Sequence, residues 1–116
     1  MNWYKIAKKL IISKECKDGD CYPVSGRYMM DHRFSNPNLL LVHGIVTGQG
    51  KISGIQYDHS WIEDGDMVID KSCGRNLILP KAVYYALGNI KNIKTYNPEQ
   101  FSNMINKYQH WGPWEL

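Results

Sequence analysis

The stretch YDHSWIEDGDMVID, residues 57–70, carries a histidine before an Asp-Gly pair and an aspartate after it. Asp-Gly between alternating runs signals a tight hairpin, because a type I′ turn needs positive φ at both central residues. With Asp64 and Gly65 at the turn, Glu63 faces Asp66 and His59 faces Asp70. Trp61 and Val68 share that side of the ribbon, while Ile62 and Met67, Ser60 and Ile69 point the other way. Facing Cβ atoms in such a ladder lie roughly 4.5–5.5 Å apart, within reach of an imidazole–carboxylate hydrogen bond. A one-residue slip would separate the two side chains onto opposite faces. An imidazole oriented by a carboxylate is a general base in search of a nucleophile.

The nucleophile this pair calls for is a thiol at a helix start. In KDGDCYPVSG, Asp20 is a plausible N-cap for a helix beginning near Cys21, and Pro23 fits the first turn. Unpaired amides and the macrodipole stabilise negative charge there, which suits a thiolate. In this reading Cys21 attacks, His59 takes the proton and Asp70 fixes the imidazole. Cys16 lies in a polar loop as an alternative thiol, and Cys73 in KSCGRN is incidental. The main-chain N–H of Cys21 is one candidate oxyanion donor, and Gln49, Gln56 or Tyr57 could supply another. Trp61 is either core or the floor of the cleft, and Glu63 belongs to the solvated tip. The loops GQGKISG and KSCGRN flank the open end of the hairpin and could line a substrate site or merely connect.

The order of a cysteine at a helix N-terminus, a strand reading H-x-W-x-E and a strand ending in aspartate resembles the transglutaminase-like branch of the papain-like cysteine enzymes. The resemblance spans roughly residues 18–72. It implies a nucleophile on a helix packed against an antiparallel sheet, with His59 and Asp70 on adjacent strands. It also implies hydrolase or acyltransferase chemistry through a covalent thio-linked intermediate. Small stand-alone proteins with such a core look like accessory proteins of bacteria or phages.

The elements that must position these residues follow from periodicity. Residues 3–12 place Trp3, Ile6, Ala7, Leu10 and Ile11 on one helical face. The helix from Cys21 turns Val24, Tyr28 and Met29 inward, and Gly26 permits close packing. LLLVHGIVTG, Leu39–Gly48, is a β-rich interior strand. LIL forms a short strand, and Pro80 opens a helix that Gly88 stops. NIKTY is a further strand. Asn97, Pro98 and Gln100 form a capping-box start to a final helix burying Phe101, Met104, Ile105 and Tyr108. The two tryptophans of HWGPWEL seal the domain. Helices, then strands, then helices again describe one α+β domain over residues 1–116, with a small, mostly antiparallel sheet packed against helices in a transglutaminase-like (papain-like) core.

Composition sets outer bounds. The 43% hydrophobic and 22% charged content is ordinary for a soluble domain. A net charge of +3, with scattered lysines, is too small to argue for nucleic acid. No long apolar run or leader pattern suggests a membrane or secretion, so a cytoplasmic protein with reduced thiols is expected. No C-x₂-C or H-x₃₋₅-H pair suggests zinc, and no signature points to an organic cofactor. His43 reads as a core or cleft histidine, and His32 and His110 as helix-face residues. The expected partner is a small-molecule or peptide-like substrate, and exposed tail tryptophans would suit a homodimer. The competing reading is a non-catalytic module in which the His59–Asp70 pair is structural. The cleft would then bind a small molecule or a protein, as in an inhibitor or sequestering protein. The two readings part on whether Cys21 lies beside His59.

Overall fold

Alternation along the strands decides how this chain layers. The computed structural model describes residues 20–48 and 54–114; the expected helix over 3–12, Cys16 and Gln49 lie outside the described residues. The elements are α1 (Cys21–His32), β1 (Leu40–Thr47), β2 (Gln56–Asp64), β3 (Met67–Asp70), a 3-10 turn (Ser72–Gly74), β4 (Leu77–Pro80), α2 (Lys81–Gly88), β5 (Lys91–Tyr96) and α3 (Pro98–Tyr108). The strands form one antiparallel sheet in the order β4-β3-β2-β1-β5. Neighbouring residues on a strand point to opposite faces. Val42, Trp61, Val68, Leu77 and Leu79 accordingly pack under Tyr84 and Leu87 of α2. Leu41, Ile62 and Ile69 pack on the other face, with Met29 of α1, Phe101 of α3 and Trp114. The sheet is thus covered on both sides, an α+β architecture with three α-helices among the described residues.

The hairpin between β2 and β3 forms one step later than expected. Asp64 pairs with Met67, Glu63 with Val68 and Ile62 with Ile69, so the turn is Gly65-Asp66 rather than Asp64-Gly65. Only Gly65 of the two takes positive φ, at +59°, as a Gly-X turn requires. The reason is visible at Glu63. In the expected register it would face Asp66 at the tip. In the structure it is 2% exposed. Its carboxylate accepts from Trp61 Nε1 at 3.1 Å and from the Tyr85 hydroxyl, with Lys81 Nζ at 3.3 Å. Glu63 is therefore not a solvated tip residue. Moving both arms by one residue preserves facing parity, so His59, Trp61 and Asp70 still share a side, with His59 and Asp70 now diagonal neighbours.

The helix ends follow their local chemistry. Asn97 accepts from the Gln100 backbone N–H and Gln100 returns the bond, completing the capping box of α3. Pro80 ends β4 and stands at the N-cap of α2, and Asn89 rather than Gly88 takes the left-handed position that stops it, at φ +44°. In α1 the buried residues are Cys21, Ser25, Gly26 and Met29, so Val24 and Tyr28 sit at the margin of the face rather than in it. Gly26 lies directly against the Trp111 ring, and Trp114 is buried among Tyr96 and Phe101. The tail does seal this face.

Gly44 is the tightest point under the site. A Cβ there would lie 2.8 Å from Trp61 Cη2 and 3.3 Å from Ile93 Cγ2. Gly44→Ala should therefore push Trp61 and destabilise the domain by about 1–3 kcal/mol, as overpacking does. Urea denaturation followed by far-UV circular dichroism checks this; an unchanged midpoint would mean that the sheet yields there at no cost.

Candidate active site

β3 stops at Asp70, while β2 runs on towards its N-terminal end without a β3 partner beyond the Ile62–Ile69 pair. Helix α1 docks beside that stretch. Ser25 Oγ donates to the Ser60 carbonyl at 3.1 Å, a bond between buried groups. This fixes the first turn of α1 next to His59. The Cys21 side chain comes within hydrogen-bonding reach of the His59 ring. On the far side of that ring, Nε2 lies 2.9 Å from Asp70 Oδ2. Cys21, His59 and Asp70 are 6%, 5% and 1% exposed, so the three groups meet in a largely water-free setting.

Asp70 is held by more than the histidine. Oδ2 also accepts from the Tyr84 hydroxyl at 2.9 Å, and Oδ1 accepts from the Ser72 N–H at 3.0 Å and from Ser72 Oγ. Burial alone would raise the Asp70 pKa. The His59 hydrogen bond and charge, Arg75 and Ser72 outweigh it and hold the carboxyl well below the usual carboxylate range. The His59 ring answers in kind. Burial opposes its charge, but bonds to Asp70 and Cys21 and the charges of both lift it to about 9. With Nε2 committed to Asp70, Nδ1 is the ring atom left to exchange a proton with the thiol.

The H-x-W-x-E strand proves to be a supporting column. His59 stacks on Trp61 with centroids 6.0 Å apart and planes inclined by 30°. Trp61 Nε1 is anchored by buried Glu63, which is itself held by Tyr85 and Lys81 of α2. Position and tilt of the imidazole are set from below as well as from the side.

The N-cap side chain leaves the helix N-terminus uncapped. Asp20 stands at the N-cap, but its carboxylate makes no cap bond and accepts instead from the Cys73 N–H at 2.8 Å. The first intrahelical bond is Val24 N–H to the Asp20 carbonyl at 3.0 Å. The amides of Cys21 and Tyr22 precede it, where a helix leaves its donors unpaired. Cys73 differs from the expectation of three reduced thiols: it is disulfide-bonded, whereas Cys21 is free.

A small cleft, about 40 Å³ of free space and partly open to solvent, runs past this pair. Tyr57, His59, Asp70, Arg75 and Tyr84 line it, with Val46, Thr47 and Leu87. Tyr57 leans on His59 edge-on at 5.9 Å between centroids. Burial raises its phenol pKa, with Asp70 and Cys21 adding to the rise and Arg75 opposing it. Its hydroxyl is thus within electrostatic range of all three. Gln56 is exposed and points to the opposite side of the sheet by the alternation of β2, so it is not brought to the His59 ring. Trp61 is fully buried beneath the site rather than open to the cleft.

Sequence reasoning missed Tyr84, Ser72 and Arg75. The signal that could have found Ser72 is its place two residues after an aspartate, a common local side-chain-to-backbone pattern. Tyr84 comes from a distant helix and has no such sign.

His43 stays apart from this cluster. Its ring is enclosed by Tyr22, Tyr96 and Trp114, with centroids 4.9, 5.1 and 5.1 Å away. Its Nε2 is buried without a hydrogen-bond partner. Burial, helped by the Lys94 charge, lowers its pKa to about 4. His32 is exposed on α1 against the Tyr28 ring, and exposed His110 follows α3. Among the described residues no group of His, Cys, Asp and Glu is placed to hold a metal ion. No described helix is long and apolar enough to cross a membrane.

A scan against protein-family models gave no match, and neither did comparison with curated proteins or with solved structures. The chemistry of this site therefore has to be read from its own geometry.

The two buried histidines make opposite demands on pH. His43 is neutral when folded, so the unfolded chain binds the extra proton between about pH 4 and 6.5, and stability falls as pH drops through that window. His59 is charged when folded. Its contribution is complete below about pH 6.5 and is lost as pH rises towards about 9. Stability should thus peak near pH 6.5, with slopes of up to about 1.4 kcal/mol per pH unit from each group. Urea titrations from pH 4 to 9 test this. His43→Leu should flatten the acid limb and Asp70→Asn the alkaline limb; limbs unmoved by these changes would assign them to other groups. Tyr84→Phe should cost about 1.5–3 kcal/mol, the usual worth of a bond to a charged group.

Proposed function

We propose that this protein is a small cysteine-dependent hydrolase or acyltransferase of transglutaminase-like (papain-like) architecture, acting through Cys21, His59 and Asp70. The observation that carries the reading is that one imidazole has a free thiol at a helix N-terminus within hydrogen-bonding reach and is bonded to a buried carboxylate. A purely structural His–Asp pair needs no thiol on its second nitrogen.

In this mechanism the resting proton moves from Cys21 Sγ to His59 Nδ1, leaving a thiolate beside an imidazolium. The raised His59 pKa favours that state, and the first turn of α1, which the Asp20 side chain does not cap, supports the negative charge. The thiolate adds to a carbonyl carbon of the substrate. The resulting oxyanion is received by the Cys21 backbone N–H and the Tyr57 hydroxyl. The intermediate collapses as its bond to the leaving group breaks, and His59 returns the proton to that group. Water or an amine then attacks the thioester, transfers a proton to His59 and frees Cys21. Hydrolysis, deamidation and acyl transfer share every step before this last one. Asp70 keeps Nδ1 facing the sulfur throughout. No step calls for a metal or an organic cofactor.

The small cleft suits a compact or extended acyl donor better than a folded protein. A second reading, a non-catalytic binding module, draws on the same cleft but leaves the proximity of Cys21 to His59 without a purpose.

Alkylation of Cys21 by iodoacetamide, followed by mass spectrometry across pH, tests the reading. Wild type should react fast at pH 6, where an ordinary thiol is almost fully protonated, and His59→Ala should abolish that advantage. If Cys21 reacts no faster than free N-acetylcysteine in both proteins, the enzyme reading fails. Asp70→Asn should slow the reaction at pH 6 by about tenfold or more, since a mis-set tautomer costs heavily in such triads. Its stability loss should be smaller than that of Asp70→Ala, which leaves His59 buried and unpaired and costs about 3–5 kcal/mol.

A further inference from the structure

The cleft beside His59 holds a cation with unused capacity. Arg75 Nε donates to the Ser72 carbonyl at 3.2 Å, and Nη2 lies 3.4 Å from Ser72 Oγ and 3.7 Å from Cys73 Sγ. These contacts fix one edge of the guanidinium. Among the described residues Nη1 donates to no group and Arg75 forms no ion pair with a carboxylate. Asp70 is near enough to feel its charge, but the Asp70 oxygens are taken by His59, Tyr84 and Ser72. Val46 and Leu87 supply apolar walls beside it.

We propose that this cleft is an anion subsite, in which Arg75 receives a carboxylate borne by the acyl substrate, close to the carbonyl that Cys21 attacks. The proposal rests on the thiol-enzyme reading and narrows it to carboxylate-bearing amides or thioesters. A guanidinium fork matches a planar carboxylate with paired bonds. One guanidinium balances a monoanion, whereas a phosphate dianion would call for a second free cation, and the other cation of the lining, the His59 imidazolium, is already paired with Asp70. The Tyr57 hydroxyl, in electrostatic range of Cys21, Asp70 and Arg75, places the subsite next to the reacting sulfur.

Two reagents that differ only in charge test this. Iodoacetate and iodoacetamide each lose iodide as the Cys21 sulfur forms a bond to the methylene carbon, but only the first carries a carboxylate. The readout is the ratio of their rate constants at Cys21, located by peptide mapping and normalised to N-acetylcysteine. Wild type should favour iodoacetate by about three- to tenfold, the range of a partly screened charge-assisted contact. Arg75→Gln should return the ratio towards that of the free thiol. A normalised ratio near one in wild type, or an elevated ratio that Arg75→Gln leaves intact, overturns the subsite while the nucleophile stands. A Cys21 as slow as free thiol towards both reagents overturns the enzyme reading itself. Should Arg75→Gln fail to fold, protection of wild type decides the matter. Propionate should slow iodoacetamide alkylation of Cys21 and propionamide should not. Equal protection by both, by neither, or stronger protection by inorganic phosphate than by propionate rejects the carboxylate assignment.

Discussion

A carboxylate sealed from water can stay charged only if its surroundings replace the water, and Asp70 is the place where this chain meets that demand. Imidazole, phenol, hydroxyl and backbone N–H converge on its two oxygens. The donors come from three parts of the fold: His59 from β2, Tyr84 from α2, and Ser72 from the turn that follows β3. Satisfying the ion thereby orders three elements at once. Removing a partner would leave a buried charge uncompensated, which is far costlier than losing an ordinary surface contact. The anion in turn keeps His59 protonated and its ring fixed, so the same group that organises the fold organises the proton chemistry.

What could be read from the residues alone was whatever local pattern decides. The His59–Asp70 relation survived an error in turn placement because a strand has period two. Moving the turn by one residue changed which residues lie level but not which face they occupy. The capping box at Asn97 was legible because it is complete within four residues. The α1 face was legible only in part: Met29 is buried as expected, but Cys21 and Ser25 share its side, and hydrophobicity favoured Val24 and Tyr28 instead. Ser25 is buried because the Ser60 carbonyl needs a donor where β3 has ended, a demand set by another strand.

The rest was hidden because its cause lies at long range. Glu63 looks like a tip residue until Trp61, Tyr85 and Lys81 gather around it. Tyr84 looks like generic helix core until its hydroxyl meets Asp70. Gln56 looked like a candidate oxyanion donor, but the pleat turns it away from the ring. The cysteines show the limit of counting: an odd number and an expected reducing compartment favoured three thiols, and only the folded arrangement distinguishes the bonded Cys73 from the free Cys21.

The position of α2 has a mechanical meaning. β4 and β5 lie at opposite edges of the sheet, and the chain passes from one to the other through α2, which lies across the intervening strands. The helix is therefore a tether as well as a lid. Any fraying of β4 or β5 pulls on the backbone that carries Tyr84, and through it on the carboxylate beneath. The edges of the sheet, ordinarily the parts that loosen most freely, are here tied to the group on which the buried histidine depends.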